Sequence, residues 1–458
     1  MRPIYLMISF WGERFRSYFT NYCLPSLLSP QNLELLSVED GHKFLICTTE
    51  NDWREFQAHP IFNELSRHVE PILIEVGLPA DESDTAKFSH MTYTHQLMMD
   101  VVHQNRALAC QIMPDTMYSD GTLSTVLRHA SAGAHAVLAV ALRMSEEKLF
   151  PELRRSGLLP AEGPLSSLPS RIVLPPRAAV GSAVRSLSQD LLNFDWDAKD
   201  FPPQFPAFCF WRVADKDEIL IHSSYFAYLL IDFAAIETHN TQSFDVGHSI
   251  ENIWLSDNFP DPSKVKVLQD SDEAMLLSWA PTPNLISPRD QQASLRIPLL
   301  STLWKGLRLR YLWALHVTVG DVQKTNNFRY PIRLHSGMLG PEWQATEART
   351  RRIIFWFFGD IYKEFNDLSQ GDPLRLLMRI WWSGLRLTIQ SLPLLERWKL
   401  RFSATSTTIR GIIKIIVWRV ILALSGNAMA LRWWGWRLRK LRAGLVGQPF
   451  HEPRPPAP

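Results

Sequence analysis

A carboxylate at the end of an apolar run is the residue of this sequence best placed for chemistry. The apolar run at residues 109–113 is followed directly by Pro114 and Asp115. A run that stops at Pro-Asp predicts a strand with Asp115 at its carboxyl end, where open α/β sheets bind ligands. We expect a metal ion and a phosphorylated substrate at that place. The alternative is an ordinary strand and turn, with Asp120-Gly121 as the turn pair.

A second candidate lies much later, in the segment 331–343. His335 offers an imidazole nitrogen to a metal ion, and Arg333 offers a planar guanidinium that suits phosphate oxygens. A histidine next to a glycine is also common as a structural or surface residue, and that interpretation stays open. The combination with a carboxylate at a strand end is what makes His335 a candidate.

The strand end resembles that of GT-A-fold glycosyltransferases, in which an Asp-x-Asp motif holds a divalent cation under a nucleotide-sugar diphosphate. Asp115 matches the second acidic residue of the motif, and Met113 stands in place of the first. A thioether is a poor ligand for Mg²⁺ or Mn²⁺. One usual metal contact therefore has to come from elsewhere or be missing.

The late segment resembles the His-x-x-Gly-x-x-Lys-Pro-Trp motif of family 8 glycosyltransferases, in which the histidine binds the metal. The spacing from His335 to Trp343 is kept, and Gly337 comes one position early. Pro341 and Glu342 stand where the family has Lys and Pro. The lysine that neutralises phosphate in the family is therefore absent, and Arg333 is the nearest cation that can replace it.

The resemblance implies a Mn²⁺ or Mg²⁺ ion bound by Asp115 and His335. It also implies contacts with the nucleotide-sugar donor from Trp11, Gly12, Lys87, His95, Arg333 and Gly337. Asp245 and Glu251 are expected to contact the transferred sugar or the acceptor hydroxyl. The alternatives are a core tryptophan with an ordinary turn at residues 11–12, a solvated lysine at 87, and two carboxylates that are close by chance.

A further acidic segment, Asp270-Ser271-Asp272-Glu273, imitates a metal-binding motif. It follows loop sequence that contains proline and lysine, so we interpret it as a solvated turn. Its carboxylates are therefore not assigned to the metal site.

Short apolar runs alternate with helical patterns, which predicts strands joined by crossover helices. Strands are expected at 4–10, 43–48, 70–76, 107–113 and 134–142, and helices at 15–28, 53–68, 92–104 and 123–132. Further strands are expected at 206–213, 218–222 and 225–232. The predicted fold class is α/β, a GT-A-like, doubly wound and mostly parallel sheet over residues 1–345 with a C-terminal helical basic extension.

The composition is that of a globular protein, since 46% of the residues are hydrophobic and 21% are charged. The four cysteines at 23, 47, 110 and 209 are scattered, with no C-x-x-C pair. This favours buried, reduced thiols in a cytosolic protein over a disulfide framework or a zinc site. The apolar part of the N-terminus is too short for a secretion signal and predicts the first strand of the sheet.

The net charge of +2 hides a strong asymmetry. From residue 371 onward the chain has 15 basic and three acidic residues, a net charge of +12, which leaves −10 for the preceding residues. Lys414 and Arg419 interrupt the longest apolar stretch, so a transmembrane helix is not expected.

We expect residues 346–447 to form basic, Trp-rich amphipathic helices on an anionic membrane surface. The alternatives are docking on an acidic partner, including the acidic front half of this chain itself, and nucleic-acid binding. Residues 448–458 are Pro-rich and expected to be disordered.

Together these features predict a cytoplasmic glycosyltransferase, peripheral on the inner face of a bacterial membrane. It would move a sugar from a nucleotide-sugar donor to a lipid-linked or cell-envelope glycan. The cation would act as a Lewis acid and stabilise negative charge on the departing nucleoside diphosphate. Resemblance to family 8 implies that the anomeric configuration is retained. The alternative is a non-catalytic GT-A-like scaffold or binding protein, which Met113 and the absent lysine favour.

Overall fold

The computed structural model describes residues 2–81, 83–161, 170–198, 208–223, 225–237, 254–255, 258–282, 328 and 330–354. All of them belong to one unit of the chain, which spans residues 1–313 and 320–358. Asp245, Glu251 and the basic extension beyond residue 354 lie outside the described residues, so their roles stay predictions.

The described residues form a mixed α/β fold. Its strands are β1 (Ile4–Ser9), β2 (Lys43–Thr48), β3 (Glu70–Glu75), β4 (Leu108–Ile112), β5 (Thr116–Tyr118), β6 (Ala136–Ala139), β7 (Ala141–Ser145), β8 (Phe208–Arg212), β9 (Ile219–Ser223), β10 (Ala227–Asp232), β11 (Val265–Val267), β12 (Leu276–Ala280) and β13 (Ile332–Leu334). Seven of them build the central sheet, in the spatial order β11-β6-β10-β4-β1-β2-β3. Every residue of β1 is buried, as expected for a parallel strand that is covered on both faces.

The central sheet is parallel-rich with one reversed strand. β1 is parallel to β2 and β4, β2 is parallel to β3, and β11 is parallel to β6. β10 lies between β4 and β6 and is antiparallel to both. The predicted α/β class with a mostly parallel sheet is therefore confirmed. The direction of β10 could not be predicted, because an apolar run has the same pattern in both directions.

Two smaller sheets complete the described strands. One has the order β5-β12-β7, and the other has the order β13-β9-β8. The sequence predicts a single strand over 134–142, whereas the chain ends β6 at Ala139 and begins β7 at Ala141 in a different sheet. This break places Arg143 of β7 beside β12 instead of in the central sheet.

The helices are α1 (Gly12–Tyr18), α2 (Leu24–Leu27), α3 (Glu50–Ala58), α4 (Ile61–Leu65), α5 (Asp84–Gln104), α6 (Thr122–Ser131), α7 (Glu146–Arg155), α8 (Pro176–Arg185), α9 (Gln189–Leu192) and α10 (Pro341–Ile354). The helix predicted over 53–68 is two helices, because Pro60 holds the preceding His59 in an extended conformation. α5 begins earlier than predicted, where Ser83 caps it by accepting a hydrogen bond from the Ala86 N–H. Among the described residues, no helix is both long and apolar enough to cross a membrane.

The four cysteines are free and buried, as the sequence predicts. Burial raises the pKa of the Cys47 and Cys110 thiols to about 12. Both thiols are therefore protonated at neutral pH, which makes them poor nucleophiles and poor metal ligands.

Candidate functional site

The carboxyl ends of β1 and β4 form the place where this fold is expected to bind a ligand. The two strands are direct neighbours, with Ile8 opposite Ile112. From β1 the chain adds β2 and β3 on one side, and α5 then carries it back to β4 on the other side. Open α/β sheets bind ligands at such a reversal, beyond the carboxyl ends of the strands. We call residues 9–12 and 113–115 the switch-point edge.

Asp115 lies at the switch-point edge, in the position that the sequence predicts. Its carboxylate accepts a hydrogen bond from Nη1 of Arg143, and its backbone carbonyl accepts one of 3.1 Å from the N–H of Trp279. The Asp115 side chain is 16% exposed, so the ion pair is partly shielded from solvent. The carboxylate expected to bind a metal ion is thus already paired with a cation of the chain.

Arg143 contacts the switch-point edge through Asp115, and the sequence did not indicate this residue. Besides the Asp115 carboxylate, Nη1 of Arg143 contacts the Ser278 hydroxyl at 3.0 Å and the Trp279 carbonyl at 3.1 Å. These contacts arise because β12 pairs with β5 on one side and with β7 on the other. In the sequence, Arg143 is marked only as a single basic residue inside an apolar run. Such a residue is more often a solvated surface residue.

Trp11 and Gly12 follow β1 and so also lie at the switch-point edge. The Trp11 indole is half-buried and meets the His90 ring edge-on, with the ring centroids 4.8 Å apart. Gly12 has a φ of +81°, in the left-handed region that favours glycine. Its N–H donates a 2.8 Å hydrogen bond to Oδ2 of Asp52. Contact of either residue with a nucleotide stays a prediction.

α5 carries two further donor-binding candidates, Lys87 and His95. Thr94 ties this helix to the end of β1 through a 2.7 Å hydrogen bond between its hydroxyl and that of Ser9. Burial lowers the pKa of His95 to about 4, so the imidazole is neutral at pH 7. A buried, neutral imidazole supplies no positive charge to a diphosphate, which leaves Lys87 in the first turn as the cationic candidate on α5.

His335 follows β13 at a point where three potential metal ligands meet. Nε2 of His335 lies 2.8 Å from Oδ1 of Asp270 and 3.8 Å from Oδ2 of Asp272. The ligand atoms of the three residues all lie within 4.8 Å of one another. A parallel β-bridge between Asp270 and Arg333 brings the two segments together. We call Asp270, Asp272 and His335 the late triad.

The imidazole of His335 is oriented by its other nitrogen. Nδ1 lies 2.7 Å from the carbonyl oxygen of Gly337, which can only accept a hydrogen bond, so Nδ1 is the donor. Nε2 then faces the Asp270 carboxylate, which also only accepts when it is ionised. A second proton or a metal cation satisfies both groups. Metal-binding histidines commonly donate their other N–H to a backbone carbonyl in this way.

The donor set of the late triad suits a divalent cation, because two carboxylates and an imidazole are common ligands of such ions. Nε and Nη2 of Arg177 bond the oxygens of Asp272 at 2.9 and 2.6 Å. This hydrogen bonding lowers the pKa of the Asp272 carboxyl and keeps it ionised. The segment is a turn, as the sequence predicts, with the Glu273 N–H donating to the Asp270 carbonyl at 3.0 Å. The carboxylates of Asp270 and Asp272 are directed to His335, which the interpretation as a solvated turn does not include, whereas the Glu273 carboxylate bonds His129.

A buried carboxylate, Glu218, anchors the loop that carries His335. Its Oε1 accepts hydrogen bonds of 2.8 and 2.6 Å from the N–H and hydroxyl of Ser336, and its Oε2 accepts one from Nε1 of Trp343. Burial raises the pKa of Glu218, but these hydrogen bonds outweigh the effect and the pKa is lowered overall. The loop and the start of α10 are therefore joined through one ionised side chain.

Two other predicted residues of the late segment have partners within the protein. The Arg333 guanidinium forms an ion pair with Glu347 of α10, and the Gly337 carbonyl accepts the hydrogen bond from His335. A phosphate group would have to compete with Glu347 for Arg333. The predicted diphosphate contacts of Arg333 and Gly337 stay predictions.

Asp115 and His335 have different partners among the described residues, Arg143 for the first and Asp270 for the second. Asp115 follows β4, whereas Asp270, which contacts His335, lies just beyond β11. β4 and β11 are three places apart in the central sheet, and at about 4.8 Å per strand their ends are roughly 14 Å apart. Among the described residues, no hydrogen bond or ion pair joins the two side chains. Sharing of one ion by Asp115 and His335 stays a prediction.

No protein-family model and no curated protein sequence matches the chain. Among solved structures, the chain is similar to the apo form of mouse xyloside xylosyltransferase 1, with 17% sequence identity and a TM-score of 0.22. The match covers 37% of this chain and 65% of that one, so the chain spans less than two thirds of the length of that protein.

Proposed function

We propose that the chain is a GT-A-type glycosyltransferase that binds a nucleoside-diphosphate sugar at the switch-point edge. The observation that carries this proposal is the topology. The strand order reverses between β1 and β4, with Trp11 after one strand and Asp115 after the other. Doubly wound sheets bind nucleotides at such positions. The resemblance of the segments around Asp115 and His335 to GT-A enzymes supports the class of donor.

Transfer of the sugar requires an acceptor hydroxyl to attack the anomeric carbon while the bond to the diphosphate breaks. The protein has to orient the two reactants and to hold positive charge near the departing diphosphate. Trp11, half-buried beside His90, offers an aromatic surface for the nucleotide base. Asp245 and Glu251 remain the proposed contacts for the sugar and the acceptor.

We place the proposed divalent cation, Mn²⁺ or Mg²⁺, on the late triad. The support is the donor set of two carboxylates and an imidazole within 4.8 Å and the orientation of His335 by the Gly337 carbonyl. A cation bound there would neutralise the two carboxylates and face Nε2 of His335. Because the ends of β4 and β11 are roughly 14 Å apart, the positive charge next to a diphosphate at the switch-point edge has to come from other groups. Glu218 holds the loop of His335 in place, and Arg177 holds Asp272.

Hydrolysis of nucleotide sugars tests the proposal. The wild-type chain, given Mn²⁺ and a panel of nucleoside-diphosphate sugars, is expected to release a nucleoside diphosphate from at least one of them. Asp115→Ala should lower that rate by about 100-fold or more, because it disrupts the charge arrangement at the reacting diphosphate. Asp261→Ala is the matched control, since that exposed carboxylate only caps a turn before β11. Wild-type protein that turns over none of the donors would overturn the proposal.

The acceptor and the location of the enzyme are proposed from the sequence. We propose a lipid-linked or cell-envelope glycan acceptor, retention of the anomeric configuration, and attachment of the basic extension to the anionic inner face of a membrane. The support is the net charge of +12 after residue 370, together with many tryptophans. Liposome flotation should show binding that needs anionic lipid and that is lost when the chain ends before Gly371. Binding that does not depend on lipid charge would contradict the membrane proposal.

The second candidate function is a non-catalytic scaffold with a GT-A-like sheet. Two observations favour it: Met113 stands at a position that needs a hard ligand, and the Asp115 carboxylate is bonded to Arg143. A scaffold predicts no release of nucleoside diphosphate from either the wild type or Asp115→Ala. The hydrolysis experiment therefore separates the two candidates.

A further inference from the structure

At the switch-point edge, the guanidinium of Arg143 is anchored through one nitrogen. Within the described residues, the hydrogen bonds of the Arg143 side chain all come from Nη1, which donates to Asp115, Ser278 and Trp279. Nε and Nη2 have no partner among those residues, and the side chain is 43% exposed. The group is therefore held firmly from one side and open on the other.

The open side of Arg143 has the geometry that an oxyanion requires. Nε and Nη2 point in the same direction from the planar guanidinium and match the spacing of two oxygens of a carboxylate or phosphate. Arg177 uses the same two nitrogens to bind both oxygens of Asp272, at 2.9 and 2.6 Å. The acidic residues that follow Arg143 do not compete for it, because Glu146 bonds the Tyr18 hydroxyl and Glu147 bonds Thr282.

The same edge is poorly equipped for a divalent metal ion. A metal there would have one carboxylate, Asp115, and a thioether, Met113, where hard cations need several oxygen ligands. It would also have to displace Arg143 from Asp115 and overcome the repulsion between two cations. A guanidinium already fixed in place supplies one positive charge, where a divalent ion has two, without these costs.

We propose that Arg143 binds the diphosphate of the donor at the switch-point edge, and that Asp115 is the positioning residue that orients Arg143. This inference rests on the proposed function for the identity of the anion as a diphosphate. It assigns the charge that meets the diphosphate to the chain itself, and it leaves the late triad as the place for a metal ion.

Titration calorimetry with inorganic pyrophosphate tests the role of Arg143, with EDTA present to remove metal ions. The wild-type chain should bind pyrophosphate in EDTA, and Arg143→Ala should weaken the affinity by about 10- to 100-fold, as for the loss of a charged, bidentate hydrogen bond. Arg143→Lys should fall between them, because it keeps the charge and loses the fork. Arg212→Ala is the matched control, a strand arginine of 48% exposure that pairs with Asp195, and should leave the affinity unchanged.

The positioning role of Asp115 has its own readout. Asp115→Asn should weaken pyrophosphate binding severalfold in EDTA, and Asp115→Glu should restore most of it by again providing an ionised partner for Arg143. Thermal unfolding checks that each variant is folded. If Arg143→Ala is not folded, Arg143→Lys carries the comparison, because it keeps a cation beside Asp115.

The results separate this inference from the proposed function. Pyrophosphate binding that requires a metal ion and is unchanged in Arg143→Ala or Arg143→Lys would overturn the role of Arg143. Turnover of a nucleotide sugar at an unchanged rate in these variants would overturn it as well, and the glycosyltransferase proposal would stand. Binding through Arg143 without turnover of any nucleotide sugar would overturn the enzyme and keep the anion site.

Discussion

The switch-point edge and the late triad differ in the groups that they leave available, hydrogen-bond donors of a guanidinium at the first and carboxylate oxygens at the second. The Asp115 carboxylate of the switch-point edge is paired with Arg143, and Asp52 of the neighbouring helix α3 is paired with Arg16. Asp52 also accepts the hydrogen bond of Gly12. Because Arg143 still has unused donors and an exposed side chain, this region is suited to an anion.

The late triad has the opposite balance. Asp270 and Asp272 face the single imidazole of His335, and Arg177 is the cation bonded to Asp272. Carboxylates that share a site repel each other unless a cation lies between them. The comparison teaches that the acidic residue at the predicted place and the acidic residues suited to a metal ion are different ones in this chain.

The largest effect is expected from removing the anchor of the late triad. Glu218→Ala should lower the free energy of unfolding by about 4 kcal/mol, because the side chain is buried and three donors from Ser336 and Trp343 lose their acceptor. Urea denaturation measures this change. Glu342→Ala is the control, because the Glu342 carboxylate is 45% exposed and lies 3.7 Å from Lys216. Its removal should change the free energy of unfolding by no more than about 0.5 kcal/mol. Equal effects of the two substitutions would show that the loop of His335 is held by other contacts.

The difference between the two regions also shows what the sequence could predict. Asp115 was placed correctly because the signal is local, an apolar run that ends at Pro-Asp. The strands β1, β2, β3 and β4 are also predicted by a local signal, a short apolar run in each case. The partner of Asp115 could not be predicted, because Arg143 reaches it only through the pairing of β12 with both β5 and β7. No local pattern encodes such pairing.

The late triad is non-local in the same way. Asp270 and His335 meet through a β-bridge at Arg333, so the sequence showed two separate segments and no reason to join them. The acidic segment does have the hydrogen bond of a turn, between Glu273 and Asp270. Its local conformation was therefore predictable, and its tertiary neighbour was not. The break between α3 and α4 has a local cause, because Pro60 keeps the preceding His59 out of the helical conformation.

The second prediction concerns two buried histidines, His95 near the switch-point edge and His222 near the late triad. His95 of α5 lies next to Thr94, which bonds the end of β1, and His222 lies in β9, the neighbour of the strand before His335. Burial lowers the pKa of each to about 4, below the usual value of about 6.5 in an unfolded chain. Each stabilises the fold fully above pH 6.5, and this stability is lost as the pH falls from 6.5 to 4. The loss is about 3 kcal/mol per histidine.

Urea denaturation from pH 7 to pH 4 measures these contributions. His95→Gln and His222→Gln should each flatten the dependence of unfolding free energy on pH by one histidine's share. The half-buried His68 provides the control. In His68→Gln, the contributions of His95 and His222 to the pH dependence of the unfolding free energy should be unchanged. A slope that is the same in wild type and in both buried-site variants would contradict the assignment.

The third prediction distinguishes the two regions by metal binding. Mn²⁺ at 100 times its dissociation constant should stabilise the folded chain by about 2.7 kcal/mol if it binds only that state. His335→Gln should lose the stabilisation, because it removes the nitrogen that faces Asp270. Asp115→Asn should keep it. Thermal unfolding with Mn²⁺ or with EDTA measures this stabilisation. Its loss in both variants would mean that Asp115 and His335 share one ion, which would contradict the assignment of the metal ion to the late triad alone.

The smallest effect is expected from two glycines, one in each region. A Cβ added at Gly12 or at Gly337 meets no atom within 4 Å, so neither substitution causes a clash. Gly12 has a φ of +81°, which an alanine adopts only at a cost, whereas Gly337 is not among the residues with positive φ. Gly12→Ala should therefore lower the free energy of unfolding by about 1 kcal/mol, and Gly337→Ala should leave it nearly unchanged. Equal effects in urea denaturation would show that the turn after β1 can relax.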